Sequence, residues 1–476
     1  MKLNILKSDN KFKGLVLIPI IEFDEVIELP DGFSQIEVSK NLFSGKKDTQ
    51  FIIEDKINER IYVLLGLGKT PEYHVVKTIF RRLTAKQESL IGEDILLVFS
   101  GGVETDLIEA AVSGLILGTY RLGHFKNLET EPKNWEDLTL SIISSHKNAL
   151  EIAEKGIKIA NAQLQAFKLV DLPPNKATPE YLAEWAKKTG KHFGISVKAF
   201  DRKKSEKEGL KAFLAVAQGS QKEPQFIIMK YRHKEATKHF GLVGKGVTFD
   251  TGGLNIKIAG MVHMKCDMGG AACVLAAMQL IADLQLPVNV TAVVPCVENV
   301  IDSQSFVPSD VIGSHSGKTI EIIDTDAEGR LILADGLSYI IKNHQPDTVI
   351  DFATLTGSAV GTFGYECAAL FSNDNELSQK LQGGGMAINE KVWPLPLWDA
   401  YKSEMDSDIA DIKNFHGKPI AGAITAAKFL QAFTENHPSW AHIDIAGTAF
   451  GDSEFAKTKH ATAFGVHLLI KLLENK

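Results

Sequence analysis

Cysteine is scarce in this chain, which contains four among 476 residues. None of the four forms a CxxC pair, the spacing typical of thiol redox motifs and of many zinc sites. The pattern therefore argues against such sites and predicts reduced, mostly buried thiols. The four residues are Cys266, Cys273, Cys296 and Cys367.

Long apolar runs are lacking as well, since none approaches the ~20 residues that a membrane-spanning helix needs. The first residues, MKLNILKSDN, are interrupted by polar side chains and offer no apolar core for a secretory signal. The sequence therefore predicts a cytoplasmic protein without a membrane partner.

The chain has no excess of positive charge, because 52 lysines and arginines face 59 aspartates and glutamates, for a net charge of −7. A pI near 6.1 is not typical of a general nucleic-acid binder, so no nucleic-acid partner is expected. Phosphate-binding loops are missing too. Residues 317–319 and 68–70 read GKT, but Ile312 and Val63 stand where such a loop requires its leading glycine, so ATP use is not supported.

The length of 476 residues and the 44% apolar content are typical of a large enzyme with two or three domains. Residues 1–145 alternate strand-like and helical apolar patterns, which predicts an α/β domain without evident catalytic residues. Residues 146–174 predict a long linking helix and a proline-rich turn. Residues 175–476 again alternate strands with helices, and Thr178 followed by Pro179 predicts the start of the first helix.

The most informative segment is DTDAEGR, residues 324–330, which places three carboxylates and a guanidinium close together. In an extended segment, side chains two apart point the same way, so Asp326 and Glu328 could hold one metal ion or bridge two. A solvated acidic loop is the alternative. The apolar flanks, residues 319–323 and 331–341, predict a buried strand and a buried helix. They place the segment at the edge of the core, where open α/β sheets bind ligands.

A glycine-rich stretch upstream, residues 241–257, carries Lys245 and Lys257, and Asp267 follows ten residues after Lys257. Two solvated lysines are the alternative interpretation. Both lysines are embedded among glycine and apolar residues, where a ligand can approach closely and a desolvated ammonium loses its proton more readily. A neutral amine can ligate a metal ion, and a charged one can polarise a carbonyl.

Several separate motifs, in one order, resemble the leucyl aminopeptidase family, the cytosolic two-metal aminopeptidases. The resemblance covers roughly the C-terminal two thirds of the chain. Together with the patterns above, it predicts an α/β protein of two domains. The smaller N-terminal domain is α/β, and the larger C-terminal catalytic domain has a mixed central sheet flanked by helices. The matching motifs lie at residues 171–182, 243–246, 326–330, 353–357, 422–427 and 440–447.

The resemblance also implies roles for individual residues. Asp250 and Glu328 bridge two divalent metal ions, and Lys245 is neutral at its metal. Lys257 orients and polarises the scissile carbonyl, while Arg330 anchors a bicarbonate ion that serves as proton shuttle. The tighter ion is held by Lys245, Asp250, Asp267 and Glu328, and the more exchangeable one by Asp250, Asp326 and Glu328.

The family's first specificity pocket maps onto five apolar or small residues, a lining that fits a leucine or methionine side chain. Burial of such a side chain is worth about 1.5 to 3 kcal/mol, enough for a preference but not for strict exclusion. Ordinary core packing is the alternative for these positions. They are Met264, Thr354, Gly357, Ala446 and Ala449.

Two cations suit the chemistry of peptide hydrolysis, because water is a poor nucleophile and an amide a poor electrophile at neutral pH, and cations can activate both. Metal ions ~3.5 to 4 Å apart can share a bridging water, lower its pKa and stabilise the developing oxyanion. A free α-amine that binds one ion restricts cleavage to the first residue of a peptide. We therefore predict a metal-dependent leucyl aminopeptidase that acts on peptides with a free N-terminal amine.

Carboxylate and amine donors without histidine or cysteine do not select one metal sharply, so several divalent ions can bind. Mn or Zn is expected, with Mg and Co as alternatives. The resemblance further implies a bicarbonate cofactor and a homohexamer. Two other functions stay open from the residues. They are a metal-dependent hydrolase of another small substrate, and a non-catalytic binding protein that retains the fold.

The sequence departs from the family pattern in three places. Asp324 stands where the family commonly has asparagine, which adds a carboxylate near the metal site. Residues 258–266 form a loop that is one residue shorter than is typical and lacks the usual proline. Ala463 occupies a place usually held by glycine. None of these changes removes a predicted ligand.

Overall fold

The computed structural model of the chain describes residues 2–6, 12–23, 26–28, 37–99, 105–123, 125–127, 133–135 and 137–474. Contacts within the chain divide it into two compact units, Met1–Asn161 and Ala162–Lys476. One helix crosses from the first unit into the second. The domain boundaries drawn from the sequence at residues 145 and 174 stay predictions. The N-terminal segment used to argue against a secretory signal lies partly outside the described residues.

The N-terminal unit is built on a six-stranded sheet with helices. Its elements are β1 (Lys2–Ile5), β2 (Gly14–Ile21), β3 (Val26–Glu28), β4 (Glu37–Ser39), β5 (Gln50–Asp55), β6 (Arg60–Gly68), α1 (Tyr73–Lys86), a 3-10 turn (Glu88–Leu90), β7 (Asp94–Val98), α2 (Thr105–Leu117), β8 (Thr139–Ile143) and the start of α3 (Ala149–Asp171). The strand order is β1-β8-β7-β2-β6-β5, and β3 pairs only with β4 among the described strands.

Neighbouring strands of this sheet run parallel except β5, which is antiparallel to β6. The central strands β2 and β6 are buried along most of their length, as the continuous apolar runs of a parallel sheet require. Helix α2 ends at Leu117, and two residues later the Thr119 hydroxyl donates to the Ile116 carbonyl, a bond that competes with helix continuation.

The C-terminal unit contains the remaining elements. Its first half comprises α4 (Pro179–Phe193), β9 (Ser196–Phe200), α5 (Arg202–Lys207), α6 (Lys211–Val216), a 3-10 turn (Ala217–Gly219), β10 (Gln225–Tyr231), β11 (His239–Gly244), β12 (Gly246–Asp250), a 3-10 turn (Met261–Cys266), α7 (Gly269–Asp283), β13 (Asn289–Asn299), β14 (Val311–Gly313) and β15 (Thr319–Glu321). Its second half comprises α8 (Gly329–His344), β16 (Thr348–Ala353), α9 (Gly357–Phe363), β17 (Ala368–Ser372), α10 (Asn375–Ile388), β18 (Val392–Pro394), a 3-10 turn (Asp399–Met405), β19 (Ile412–Lys413), α11 (Gly422–Gln431), β20 (Trp440–Asp444), β21 (Phe450–Gly451), β22 (His460–Ala461) and α12 (Val466–Glu474).

A nine-stranded mixed sheet forms the centre of this unit, in the order β18-β17-β20-β16-β11-β13-β10-β9, with β12 paired to β13. The consecutive strands β20, β16, β11 and β13 are parallel, while β10 and β9 run antiparallel to their neighbours. Strand β17 is antiparallel to β20 and parallel to β18. Helices α7 and α8 are buried along nearly their whole length in contact with this sheet. The predicted α/β class, with a smaller N-terminal unit and a mixed central sheet flanked by helices, is confirmed.

Helix α4 begins where the sequence predicts, at Thr178 and Pro179. The Thr178 side chain accepts a hydrogen bond from the Tyr181 N–H (3.2 Å), and Pro179 is the first helical residue. The strand predicted at residues 319–323 is shorter, because β15 ends at Glu321. Beyond it, the Ile323 N–H donates to the Asn414 side chain (2.8 Å) instead of to a neighbouring strand.

The segment Met261–Asp283 is long and apolar enough, by length and composition, to cross a membrane. Lys265 and Asp267 interrupt the segment, so it is not a continuous apolar run, and the sequence prediction on this point is not contradicted. The segment contains α7, and 83% of its most apolar window is buried inside the protein. Burial of this extent is typical of a core helix packed on a sheet.

Ala463 adopts a left-handed backbone conformation with φ of 58°. This conformation costs a residue with a Cβ roughly 1–2 kcal/mol, a penalty that glycine avoids. The conformation gives a physical reason for the glycine usual at this place in the family.

Candidate active site

The candidate site lies at one edge of the central sheet, where parallel strands end. Lys245 follows directly after β11, and Thr354 follows β16. Strands β11, β16 and β20 are parallel neighbours, so their carboxyl ends meet at this edge. Ligands in open α/β sheets bind at such an edge.

Two glycines allow the close packing around Lys245. A Cβ on Gly329, in the DTDAEGR segment, would lie 2.4 Å from the Lys245 Cε and 2.5 Å from its Nζ. A Cβ on Gly270, in the first turn of α7, would lie 2.0 Å from the Phe352 carbonyl oxygen. Side chains at either position would therefore push the helices away from the strand ends and the buried lysine.

Lys245 is buried and bonded on three sides. Its Nζ donates to the Thr354 carbonyl oxygen (2.8 Å) and to Asp267 Oδ1 (2.9 Å), and it lies 3.1 Å from Glu328 Oε1. Burial by itself lowers the pKa of Lys245, but the carboxylates of Asp267, Glu328 and Asp250 outweigh it and raise that pKa above its usual value. The sequence argument expected burial to favour the neutral form of this lysine, but burial alone does not make it neutral. Additional positive charge close by is needed for that.

Lys257 is the second lysine of the site and is more open, with 17% of its side chain exposed. Its Nζ lies 2.8 Å from Asp250 Oδ2 and 2.5 Å from Asp326 Oδ1. Burial lowers the pKa of Lys257, but Asp250, Glu328 and Asp326 raise that pKa by more than burial lowers it, so the ammonium stays charged. Lys257 thus supplies a fixed positive charge in the wall of the cleft.

The carboxylates form a compact cluster. Oxygen atoms of Asp250, Asp326 and Glu328 all lie within 4.8 Å of one another. Burial raises the pKa of Asp267 and of Asp326 to about 6, and that of Glu328 well above its usual value, with Asp250 adding to each shift. Among the residues that the structure describes, Asp267 Oδ2 and Glu328 Oε2 are buried without a hydrogen-bond partner.

Arg330 lies in the first turn of α8 and is buried. Its Nη1 donates to the Asn414 carbonyl oxygen (2.7 Å), while its Nε is buried without a partner among the described residues. Burial lowers the pKa of Arg330 to about 10, against the opposing effect of Glu328 and Asp324, so it stays charged at neutral pH.

Three residues that the sequence analysis did not single out hold the site in shape. Asn299, at the end of β13, donates from its side chain to Asp250 Oδ1 (2.8 Å). Asn414 donates to the Asp324 carbonyl oxygen (2.6 Å), and Asp444 accepts from the Thr356 hydroxyl (2.7 Å). Asn299 and Asp444 are polar residues at the ends of core strands, a signal that could have found them. Asn414 carries no such signal.

A cleft of about 750 Å³ contains the site. All five predicted metal ligands, together with Lys257 and Arg330, line this one cleft. Four of the five predicted pocket residues line it as well. They are Met264, Thr354, Gly357 and Ala446. Ala449 is buried behind them, where its Cβ would be 3.0 Å from a Cβ on Gly269, and it is not among the lining residues. Its place in the pocket stays a prediction.

Known proteins resemble the chain along most of its length. Residues 165–470 match the cytosol aminopeptidase family, catalytic domain. A probable cytosol aminopeptidase of Chlorobaculum tepidum is 46% identical over 380 residues, 78% of this chain and 75% of that protein. One from Pseudomonas fluorescens is 38% identical over 469 residues, 94% of this chain and 92% of that protein. The solved structure of the bottromycin maturation enzyme BotP in complex with Mn superposes with a TM-score of 0.85 at 28% identity, covering 97% of this chain and 99% of the other.

Proposed function

Because the chain belongs to the cytosol aminopeptidase family, we propose that the cleft at the strand ends is the active site of a two-metal aminopeptidase that preferentially releases leucine and other apolar residues. Membership of the family makes the chain an aminopeptidase, a hydrolase whose substrates are peptides. The observation that carries the finer proposal is the cluster of Asp250, Asp326 and Glu328 with two lysines beside it.

The residues present fit two divalent cations. Asp267 and Glu328 each have a buried oxygen without a partner among the described residues, an arrangement that is costly unless a cation binds there. The raised pKa values of these carboxyls have the same cause, because negative charge is crowded in a desolvated place. By the family resemblance, the holding residues are Lys245, Asp250, Asp267 and Glu328 for one ion, and Asp250, Asp326 and Glu328 for the other.

When bound, the two cations supply a water nucleophile of lowered pKa and neutralise negative charge that develops on the substrate oxygen. Lys245 contributes an amine donor once that positive charge offsets its carboxylate neighbours. Lys257 gives up at least one contact to Asp250 or Asp326, which frees its ammonium to orient and polarise the scissile carbonyl.

We propose Mn or Zn, with Mg and Co as alternatives, and the donor set is compatible with all four because carboxylates and one amine select no metal sharply. The solved relative BotP is described with Mn, which agrees with this expectation. Arg330 is the residue proposed for a bicarbonate ion, since its buried Nε has no partner among the described residues while its Nη1 is already used. The homohexamer and the cytoplasmic location stay predictions.

Acetylation of the substrate amine tests the proposal directly. We expect the metal-loaded protein to hydrolyse Leu-amide, and to hydrolyse N-acetyl-Leu-amide at least about a thousandfold more slowly, because an acetylated nitrogen has no free lone pair to offer in a carboxylate-lined, cation-dependent site. Release of ammonia is the measurement. Comparable rates on both substrates would instead favour a hydrolase of another class of amide.

The preference for apolar first residues is tested at Ala446, which lines the cleft and is partly exposed. We expect Ala446→Leu to lower the ratio of kcat/KM for Leu-amide over Ala-amide by about tenfold, because the added side chain fills the space that a substrate leucine needs. Ala276→Val is the matched control. It should lower the melting temperature and leave the ratio unchanged, since Ala276 is buried in α7 and does not line the cleft. Equal changes of the ratio in both variants would contradict a direct role for Ala446.

A further inference from the structure

Asp324 is a carboxylate in the wall of the cleft that is not among the five predicted metal ligands. Its Oδ1 accepts a hydrogen bond from the Asp326 N–H (2.8 Å), a contact that asparagine could also make. Asp324 is partly exposed and lines the cleft. Among the residues that the structure describes, no ion pair within 4.0 Å involves Asp324. Its negative charge is therefore available to something that enters the cleft.

A path of contacts through the cleft wall separates Asp324 from the apolar pocket. Thr354, a pocket residue, bonds Lys245 and Asp267. Lys245 in turn contacts Glu328, which belongs to the same cluster as Asp250 and Asp326. The Asp326 N–H donates to Asp324 Oδ1. Along this path, the cluster proposed to hold the metal ions stands between the pocket residue Thr354 and Asp324.

An aminopeptidase cuts after the first residue, so the two sides of the cluster receive different parts of a peptide. The first side chain occupies the apolar pocket at Thr354, and the second residue must continue beyond the cluster. We propose that Asp324 makes this enzyme prefer peptides whose second residue carries a positive charge, arginine or lysine. The inference rests on the proposed function, because it uses that function's cleavage position.

The positively charged side chains beside the cluster each bond at least one other residue. The Lys418 Nζ is paired with both carboxylate oxygens of Glu404, at 2.9 and 2.7 Å. Arg330 donates to the Asn414 carbonyl oxygen and is buried. Lys257 is shared between Asp250 and Asp326. A cationic substrate side chain therefore meets Asp324 as an acidic group that has no ion pair within 4.0 Å in the described part of the cleft wall.

The test compares Leu-Arg with Leu-citrulline, whose second side chain has nearly the shape of arginine but no charge. We expect the parent protein to favour Leu-Arg by about fivefold in kcat/KM, the size of a partly exposed ion pair. In Asp324→Asn the ratio should fall to about one, because the acceptor for the Asp326 N–H is kept and only the charge is lost. Added sodium chloride should lower the ratio in the parent for the same reason.

The ratio of kcat/KM for Leu-Arg over Leu-citrulline distinguishes this role from an effect on the metal ions, because a change at the metal ions alters the hydrolysis of both peptides alike. Lys418→Met is the matched control, and it should keep or raise the preference for Leu-Arg, because it removes a positive charge from the same cleft. If Asp324→Asn does not fold, Asp324→Ser retains an acceptor without the charge and replaces it. An unchanged ratio in a folded Asp324 variant, or a parent ratio near one, overturns the inference. A parent that hydrolyses neither peptide overturns the proposed function itself.

Discussion

Lys257→Met is expected to lower kcat for Leu-p-nitroanilide by about a thousandfold, the usual effect of removing a positive charge aimed at a developing oxyanion. Lys257 is the ammonium in the cleft wall that carboxylates keep charged, through contacts of 2.8 Å to Asp250 and 2.5 Å to Asp326. Methionine preserves the length of the side chain and removes only its charge and hydrogen bonds. We expect KM to change far less than kcat, because the charge acts mainly on the transition state.

Lys428→Met is the matched control for the loss of a lysine. Lys428 is also buried and bonded, with Asp399 at 2.9 Å and Gln431 at 2.6 Å, but it does not line the active-site cleft. The control should lose stability and keep kcat within about threefold of the parent, since only the generic effect of removing a buried lysine paired with the exposed Asp399 remains. Equal losses of kcat in both variants would contradict a direct role for Lys257. Metal content should be measured in each protein, so that a lost ion is not mistaken for a lost charge.

Removal of metal is the second large effect that we expect. Protein stripped with a chelator should lose at least about a thousandfold in activity on Leu-p-nitroanilide, and added Mn or Zn should restore it. Binding of the ions to the folded protein should also raise its melting temperature by several degrees, because a ligand that binds only the native state stabilises it. This second readout does not depend on catalysis.

Glu328→Gln tests whether the buried cluster is the binding site. Elemental analysis should find two ions per chain in the parent and fewer in this variant, and the melting temperature of the variant should respond less to added metal. The stripped variant should be at least as stable as the stripped parent, because burial raises the pKa of Glu328 and makes its charged form unfavourable there. A lower metal content could then not be blamed on unfolding.

Asp335→Asn is the control for the loss of a buried carboxylate. Asp335 lies in α8, the helix that begins directly after Glu328, and it accepts from the N–H groups of Phe213 (2.9 Å) and His315 (2.7 Å) without lining the cleft. We expect this variant to lose stability and to retain the metal-dependent rise in melting temperature. If Glu328→Gln binds two ions as tightly as the parent does, the proposed ligand set is wrong.

Much of the architecture could be predicted because its signals are local. Thr178 and Pro179 begin α4 through one side-chain bond and one fixed backbone angle, both of which act within a single turn. The apolar patterns of α7 and α8 identify buried helices, although that of α7 also satisfies the composition of a membrane span. Burial decides between those two readings, and burial is a property of the folded unit.

The site was predicted unevenly, for a physical reason. Lys245, Asp250 and the DTDAEGR segment stand out because charged groups beside glycine and apolar strands are unusual in sequence. Asn414 does not stand out, yet it bonds the backbone on both sides of Asp324 from 90 residues away. The protonation of Lys245 could not be predicted either, because burial and carboxylates shift its pKa in opposite directions, and their balance depends on distances.

Periodicity, composition and motif order were enough to predict the α/β class, the family and the identity of the charged residues. The folded structure was needed to show that Lys257 contacts both Asp250 and Asp326, that two carboxylate oxygens in the described site are buried without partners, and that Asp324 accepts from the Asp326 N–H. Electrostatic and hydrogen-bonding energies depend on distance and desolvation. Both are set by segments that are far apart in the chain and meet only when the sheet is assembled.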